Sequence, residues 1–200
     1  MKLFSKKSTS QYFEERSKYI VKQIHQYDEQ EFLRETEAKK DSFVSSYRIK
    51  PVIIQWSNLR ANIEVVERHL DMSRGEHSMS GKIKDAKVKY TVPIDDRNGE
   101  LLELRPGSYT NQDIEVDGLL VDAFTFSFFT NSRTDDLSEP VKAEVKQKKA
   151  EVVRKIQDYV KNLNNDIEKY NNSLPQFVKE AFEARRISIL TRNKHEKDLE

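Results

Sequence analysis

Alternating apolar and polar positions mark the middle of the chain as a region of β-sheet. Residues 86–94 (AKVKYTVPI) place apolar side chains on one face and mainly lysine and threonine on the other. Residues 119–129 contain the same alternation, carried by Phe124, Phe126 and Phe128. A period of two is typical of a strand with one buried face, so both segments are predicted strands. The phenylalanine row is expected to be core rather than a ligand pocket, because phenylalanine is usually buried.

A hairpin is predicted immediately after the first of these strands. Residues 95–99 end in Asn-Gly, a pair that tight hairpin turns favour because both residues adopt positive φ readily. Three leucines, Leu101, Leu102 and Leu104, follow this turn. These leucines are therefore expected to resume the sheet, and the acidic residues 111–118 are expected to form a loop.

Short sequence patterns predict the structure of the segments that precede these strands. Residues 43–56 show period-two spacing around a proline and predict strand-like segments of the kind found at a sheet edge. Residues 59–70 fit either a helix or a strand, because Ile63 and Leu70 follow helical spacing while Ile63 and Val65 alternate with polar neighbours. The strand is favoured because of a hairpin-like break at Ser57-Asn58. Residues 71–82 are rich in serine, glycine and charge, and they predict a loop.

Helical spacing of apolar residues predicts two helices at the start of the chain. In residues 10–25, Phe13, Ile20 and Ile24 recur along one face, and a Ser-Thr-Ser signal precedes them. Asp28, with an acidic residue three positions later, matches a capping box that opens a second, very polar helix ending at about residue 40. The weak apolar face of this second helix predicts an exposed packing element.

A long amphipathic helix is predicted towards the end of the chain. Residues 141–172 contain no proline or glycine, and their apolar residues recur with a period near 3.5 from Val160 onward. Residues 171–173 are expected to reverse the chain, so that a final helix through Leu190 packs against the long one. The apolar stripe is the predicted packing or interface surface, and its members are Val152, Ile156, Val160, Leu163, Ile167, Tyr170 and Leu174.

Together these elements predict an α+β fold, in which a mostly antiparallel sheet is packed by an N-terminal helical segment and a long C-terminal helical hairpin. The expected segments are 1–45 (helical), 46–139 (the β-rich core) and 140–198 (the hairpin), within one compact domain. The chain ends in a charged stretch without a helix stop, which predicts the front piece of a longer protein. Leu199 and Glu200 could equally be a cloning remnant and are left out of this interpretation.

Composition and charge narrow the classes of function. Of the 200 residues, 36% are hydrophobic and 34% are charged, so much of the helix surface must be exposed. The net charge of +1 is unevenly distributed: residues 1–92 carry +5, residues 93–140 carry −8 and residues 141–200 carry +4. An acidic centre between basic flanks favours contacts within the chain or between its copies. It disfavours nucleic-acid binding, which uses a concentrated basic face.

Catalytic and metal-binding motifs are missing from the sequence. The four histidines lie far apart, cysteine is absent and the five glycines stand singly, so no zinc, calcium or phosphate-binding motif can be drawn and no cofactor is expected. One alternative stays open, because Asp85 and Lys87 have the spacing of a Mg²⁺-dependent nuclease site, with Asp71 as an upstream carboxylate. The competing interpretation places Asp85 and Lys87 on the wet face of an amphipathic strand. A nucleic-acid-binding module is a further alternative.

Two stretches of the sequence resemble a known kind of module. Tyr90–Tyr109 contains the pattern G-x-L-L-x-x-x-P, and Ile167–Arg186 contains Y-N-x-x-L. With the acidic loop and the phenylalanine-rich strand between them, they resemble N-terminal modules of larger bacterial proteins, often in antiphage or stress settings. In those proteins a Toll/interleukin-receptor-like or nuclease-like effector domain follows. The resemblance covers about residues 45–190, implies a non-catalytic front module and transfers no active-site residue.

The expected function is a non-catalytic sensing, scaffold or oligomerisation module of a larger bacterial cytoplasmic protein. The sequence has no apolar run of about 18 residues and no signal-peptide pattern, so membrane contact is not expected. The absence of cysteine agrees with a reducing cytoplasm. The expected partners are further copies of the chain, giving a homo-oligomer, or a downstream effector domain of the same chain.

Overall fold

The computed structural model describes residues 1–34, 36–74, 77–108 and 114–199, and it describes the side chains of all of these except 36, 68–74 and 77–81. The strands are β1 Lys2–Leu3, β2 Arg60–Arg74, β3 His77–Pro93, β4 Ile114–Glu115, β5 Gly118–Leu119 and β6 Ala123–Phe129. The α-helices are α1 Thr9–His25, α2 Glu29–Arg34, α3 Thr36–Tyr47 and α4 Glu139–Leu199. Antiparallel strand pairs combined with helices confirm the α+β class.

Internal contacts divide the chain into two compact units. The first unit contains Met1–Lys6, Val52–Arg105 and Tyr109–Lys161, and the second contains Lys7–Pro51, Pro106–Ser108 and Asn162–Glu200. Each unit therefore draws on the beginning, the middle and the end of the chain. The units differ from the three consecutive segments expected from the sequence, because packing joins residues that lie far apart along the chain.

The first unit contains a four-stranded antiparallel sheet with the order β2-β3-β6-β5. Tyr90 of β3 and Phe126 of β6 are buried and their rings stack with centroids 5.1 Å apart. Phe124 is buried as well, whereas Phe128, the third member of the predicted core row, is partly exposed. The strand predicted over 86–94 lies in β3, the favoured strand over 59–70 is confirmed as part of β2, and the strand over 119–129 is confirmed from Ala123 onward.

The loop predicted over 71–82 is wrong for its described residues, because β2 and β3 continue through them. The antiparallel register runs unbroken from Arg60↔Thr91 to Arg74↔His77. The ladder is made of backbone hydrogen bonds, which form whether the side chains are polar or apolar. A composition typical of loops therefore occurs here in a long two-stranded ribbon.

The hairpin predicted at residues 95–104 is also wrong. Asp95–Arg97 and Gly99–Glu103 are short 3-10 helices, and Leu101, Leu102 and Leu104 are buried without joining the sheet. Positive φ falls on Asp96 and Arg97 instead of on the Asn-Gly pair. Gly99 serves a different purpose, since a Cβ atom there would come within 2.3 Å of the carbonyl oxygen of Leu120.

The second unit is built from α1, α2, α3 and the last two thirds of α4. Helix α1 begins with a capping box between Ser8 and Gln11, and the Asp28 carboxylate accepts hydrogen bonds from the N–H groups of Gln30 and Glu31 at 3.0 and 3.1 Å. Both predicted helix starts are therefore confirmed.

The strand-like character predicted for residues 43–56 is wrong at both of its ends. Residues 43–47 belong to α3, and Trp56–Asn58 is a 3-10 helix. Phe43 packs edge-on against Phe182 with ring centroids 5.4 Å apart, so tertiary packing favours the helix at this point. Only Ile54, which bridges to Ile94, makes a strand-like pair among these residues.

The helical hairpin predicted over 140–198 is wrong, because α4 is one continuous helix. The expected reversal at residues 171–173 does not occur. The Asn171 side chain accepts from the N–H of Ile49 at 2.9 Å and donates to the carbonyl of Ile49 at 2.8 Å. This amide, which the sequence assigned to a turn, is therefore held by a distant segment. Leu174 and Val178 are buried on either side of Pro175, and their packing favours the helix through the proline.

Candidate functional site

The predicted stripe of α4 lies mostly inside the fold. Five of its members are buried, namely Ile156, Leu163, Ile167, Tyr170 and Leu174. The other two, Val152 and Val160, are partly exposed. The buried members are covered by residues of this chain and are closed to another molecule. The interface role of the stripe stays a prediction, and it can involve only the two partly exposed valines directly.

The register of the sheet separates the residues of the nuclease alternative. Asp85 pairs with Val66, whereas Asp71 lies five residues farther along β2 and pairs with Ser80. At about 3.4 Å per residue, the two positions are about 17 Å apart. Two carboxylates that share a Mg²⁺ ion must both reach it at about 2.1 Å. This arrangement does not bring Asp71 and Asp85 to one ion.

Asp85 departs from the wet strand face offered as its alternative role, because it is only 7% exposed. Lys87 is partly exposed, and its ammonium lies 5.6 Å from the centre of the ring of Phe129, which is itself exposed. Among the described residues, no group of three or more histidine, cysteine, aspartate or glutamate side chains is placed to hold a metal ion.

The shifted pKa values of this protein have structural causes. The pKa values of Glu14, Glu37, Glu139 and Glu151 are lowered by hydrogen bonds from lysines on the same helix. Burial raises the pKa values of Tyr47, Tyr90 and Tyr170. Catalytic acids and bases usually combine burial with a nearby charge inside a cleft. The shifts seen here fit helix-surface ion pairs and core tyrosines.

A groove of mixed polar and apolar lining lies in the second unit beside the Asn171–Ile49 contact. It encloses about 620 Å³ between the Ser45–Pro51 segment and the 164–172 part of α4. Arg48, Lys50, Glu168 and several asparagine amides line it. Its described lining includes one carboxylate and no histidine, so it offers polar binding groups without an acid–base pair.

One cationic residue of this unit, Arg185, is buried. Arg185 is 5% exposed, and its guanidinium carbon lies 4.9 Å from the centre of the Phe32 ring. Its Nη2 donates to the Tyr27 carbonyl. Arg185 is therefore part of the core of the second unit and cannot contact a phosphate from outside.

The most distinctive exposed feature of the first unit is strand β2. It forms an edge of the sheet, with β3 as its neighbour. Residues 61–65 and 67 are exposed and residue 66 is partly exposed. Sheet edges usually carry devices that block pairing, such as prolines or bulges. The register of β2 with β3 contains neither over residues 60–74.

The backbone of β2 directs hydrogen-bonding groups to this open edge. Ala86 of β3 bonds away from β2, donating to the Ser132 carbonyl at 2.7 Å and accepting from the Thr130 N–H at 2.8 Å. Its partner in β2, Val65, is therefore not hydrogen-bonded to β3. By the alternation of an antiparallel ladder, Ala61, Ile63 and Val65 direct their N–H and C=O groups outward.

The same three residues form an apolar strip at the edge. Ile63 is 39% exposed and Val65 is 42% exposed, although their partners Val88 and Ala86 are buried. We refer to Ala61, Ile63 and Val65 as the apolar strip. The other face of β2 carries Arg60, Asn62 and Glu64. This edge can bind another extended strand through backbone hydrogen bonds and apolar contacts.

Sequence reasoning identified this strand and missed its position at the open edge of the sheet. Alternation of Ile63 and Val65 with polar residues predicts a strand with one buried face. Edge position depends on which strands pair, and no local pattern reports it. The alternating charges at Arg60 and Glu64 were the available signal, because charged side chains are common on edge strands.

Comparison of the chain with protein-family models, with curated proteins and with solved structures gives no match. The resemblance to N-terminal modules of bacterial effector proteins therefore stays a prediction. Among the described residues, no helix is both long enough and apolar enough to cross a bilayer.

Proposed function

We propose that this protein is a non-catalytic assembly module that associates with further copies of itself. In this proposal it serves as a scaffold or oligomerisation part of a larger bacterial cytoplasmic protein, with a downstream effector domain as a second predicted partner. The observation that supports the proposal is the apolar strip on the open edge of β2. An exposed, regular edge strand is a ready template for pairing with another chain.

The size of this surface points to weak association. Fully burying a valine or isoleucine side chain contributes about 1.5–3 kcal/mol, and the strip is already partly covered. Bringing two proteins together costs about 4–15 kcal/mol. Backbone hydrogen bonds and charge pairs along the edge add to the apolar contribution. We therefore expect a dissociation constant of about 1–100 µM.

Sedimentation velocity of the chain over about 1–200 µM tests this proposal across the expected range. We expect the average mass to rise from the 23.5 kDa of one copy towards twice that value as concentration increases. A single species at the mass of one copy throughout this range would contradict self-association.

A second assay tests the alternative that the protein is a metal-dependent nuclease. Labelled DNA and RNA are incubated with the protein and Mg²⁺ or Mn²⁺, and we expect no cleavage above the protein-free control. Metal-dependent cleavage that disappears in Asp85→Ala would replace the proposed function with a nuclease.

A further inference from the structure

We infer that the partner of β2 is the same strand of a second copy, paired antiparallel about a two-fold axis beside Asn62. The inference rests on the proposed self-association and specifies its surface and register. In this arrangement Arg60 of one copy faces Glu64 of the other, and Ala61 faces Ile63. Two four-stranded sheets then join into one continuous sheet.

The outward backbone groups of β2 fit this register. Ala61 and Ile63 both direct their N–H and C=O groups to the open edge, as the bonds of Ala86 on the far side of β3 establish. With the axis at Asn62, Ala61 of each copy lies opposite Ile63 of the other. Each such pair exchanges two hydrogen bonds, in the usual manner of an antiparallel ladder.

The polar face of the joined strands is complementary in charge. Arg60 and Glu64 of opposite copies form two symmetric pairs across the axis, and Asn62 faces its own copy with an amide that both donates and accepts. Within one copy, Glu64 lies opposite Lys87 and Asn62 lies opposite Lys89. Glu64 thus sits between Lys87 of its own sheet and Arg60 of the second copy.

The apolar face of the joined strands is also matched. Ala61 and Ile63 of opposite copies pack together, with Val65 adjoining them at either end. This contact covers side chains that stay exposed in a single copy. A shift by one residue would place this strip against the polar face, because successive residues of a strand point to opposite faces.

Other registers related by a two-fold axis are less favourable. An axis at Glu64 would place that carboxylate directly opposite its own copy, which is repulsive. An axis at Ile63 would place Arg60 opposite Val66 and Asn62 opposite Glu64, so no opposite charges would face each other. An axis at Val66 would also pair opposite charges, Glu64 with Arg68, but it would place Val65 opposite Glu67 and Ile63 opposite His69, so the apolar strip would face polar residues. The register about Asn62 both pairs opposite charges directly and keeps the apolar strip together.

A single introduced cysteine tests the position of the axis, because the chain contains no cysteine of its own. Asn62 belongs to a pair that is not hydrogen-bonded across the new interface, where Cα atoms approach to about 4.5 Å. Disulfides form at Cα separations of about 4.4–6.8 Å. We expect Asn62→Cys to form a covalent dimer under mild oxidation, read on a non-reducing gel and by mass spectrometry.

Glu64→Cys is the matched control, because this position is exposed on the same face of the same strand. In the inferred register, the two copies of position 64 are four residues apart along the ladder, about 14 Å. Because this substitution also removes the charge pairs with Arg60, it is tested at a protein concentration at which sedimentation shows the variant to be associated, and we expect no covalent dimer there. The far-UV circular dichroism of both variants should match that of the parent chain.

Charge reversal provides a second, independent measurement in the full chain. Arg60→Glu and Glu64→Arg each replace two attractive pairs with two repulsive ones, so each should weaken association by about tenfold or more in sedimentation. The double variant restores opposite charges in reversed order. We expect its dissociation constant to return to within about threefold of the parent value.

The outcomes separate this inference from the proposed function. Cross-linking of Asn62→Cys but not of Glu64→Cys, together with rescue by the double reversal, supports the inferred register. A parent chain that associates while Asn62→Cys stays uncross-linked, or while Glu64→Cys cross-links instead, overturns the register and leaves the assembly function standing. A parent chain that never associates overturns both.

Discussion

The edge strand of the first unit and the helical core of the second unit distribute polarity in opposite ways. Strand β2 leaves Ile63 and Val65 partly open to solvent, whereas the second unit buries Arg185 and holds the amide of Asn171 against a backbone segment. The comparison shows that polarity alone does not decide where a side chain lies. A polar side chain can lie inside where the protein supplies contacts for it: the Asn171 amide is hydrogen-bonded to Ile49, and Arg185 contacts the Tyr27 carbonyl and the Phe32 ring, although its Nε has no hydrogen-bond partner among the described residues. An apolar side chain stays outside where no neighbouring strand covers it.

The largest expected effect comes from removing the buried cation. Arg185→Ala deletes the contact with the Phe32 ring, leaves a cavity and removes the donor to the Tyr27 carbonyl. We expect the free energy of unfolding to fall by about 3 kcal/mol, measured by urea denaturation followed by circular dichroism. Arg186→Ala, at an exposed neighbouring position, should change it by less than about 0.5 kcal/mol. Equal effects from the two variants would contradict the burial of Arg185.

A smaller effect is expected at the amide contact that replaces the predicted turn. Asn171→Ala leaves both the N–H and the C=O of buried Ile49 without their partner. We expect a loss of about 2 kcal/mol in unfolding free energy, because each unpaired buried group carries a desolvation cost. Asn172→Ala, which alters an exposed amide, is the matched control. If Asn172→Ala destabilises as much as Asn171→Ala, the contact has no special role.

A pH-dependent effect is expected from a buried tyrosine of the same unit. Burial raises the pKa of Tyr170, so this side chain keeps its proton in the folded state at a pH where the unfolded chain loses it. The unfolding free energy should therefore fall as pH rises through about 10, the ordinary value for tyrosine. Tyr170→Phe should reduce this fall, and Tyr19→Phe, at an exposed position, should not. Denaturation at neutral and alkaline pH compares the three chains.

The smallest expected effect on stability lies on the edge strand. Ile63→Ser alters a side chain that is 39% exposed, so the unfolding free energy should fall by about 1 kcal/mol, well below the loss expected for Arg185→Ala. Denaturation at low protein concentration, where single copies dominate, measures this value. A loss as large as that of Arg185→Ala would show that β2 belongs to the core and would remove the contrast between the two regions.

Local signals predicted many of the individual elements. Ser8 and Asp28 begin helices where their capping patterns indicated, and the alternation in residues 86–94 marks a strand. Failures occurred where a distant residue competes for a local group. Asn171 bonds to Ile49 instead of turning its own chain, and Gly99 accommodates the carbonyl of Leu120 instead of supplying a positive φ.

The edge strand β2 likewise combines a property set by nearby residues with one set by distant residues. The strand character of residues 59–70 followed from a hairpin-like break before them and from the alternation of Ile63 and Val65 with polar neighbours. That this strand lies at an edge depends on the order β2-β3-β6-β5, which pairs residues as far apart as Lys87 and Phe129. The separation of Asp71 from Asp85 has a similar cause, since sequence spacing does not state the register between strands.

By itself, the sequence of this protein determined the α+β class, the starts of its first helices and the strand character of its central segments. These properties depend on hydrophobic period and on capping groups that act within a few residues. Only the tertiary structure decided that α4 is continuous, that Arg185 is buried and that β2 is open on one side. Those properties depend on which distant segments form hydrogen bonds with a residue or cover it from solvent, and no short stretch of sequence contains that information.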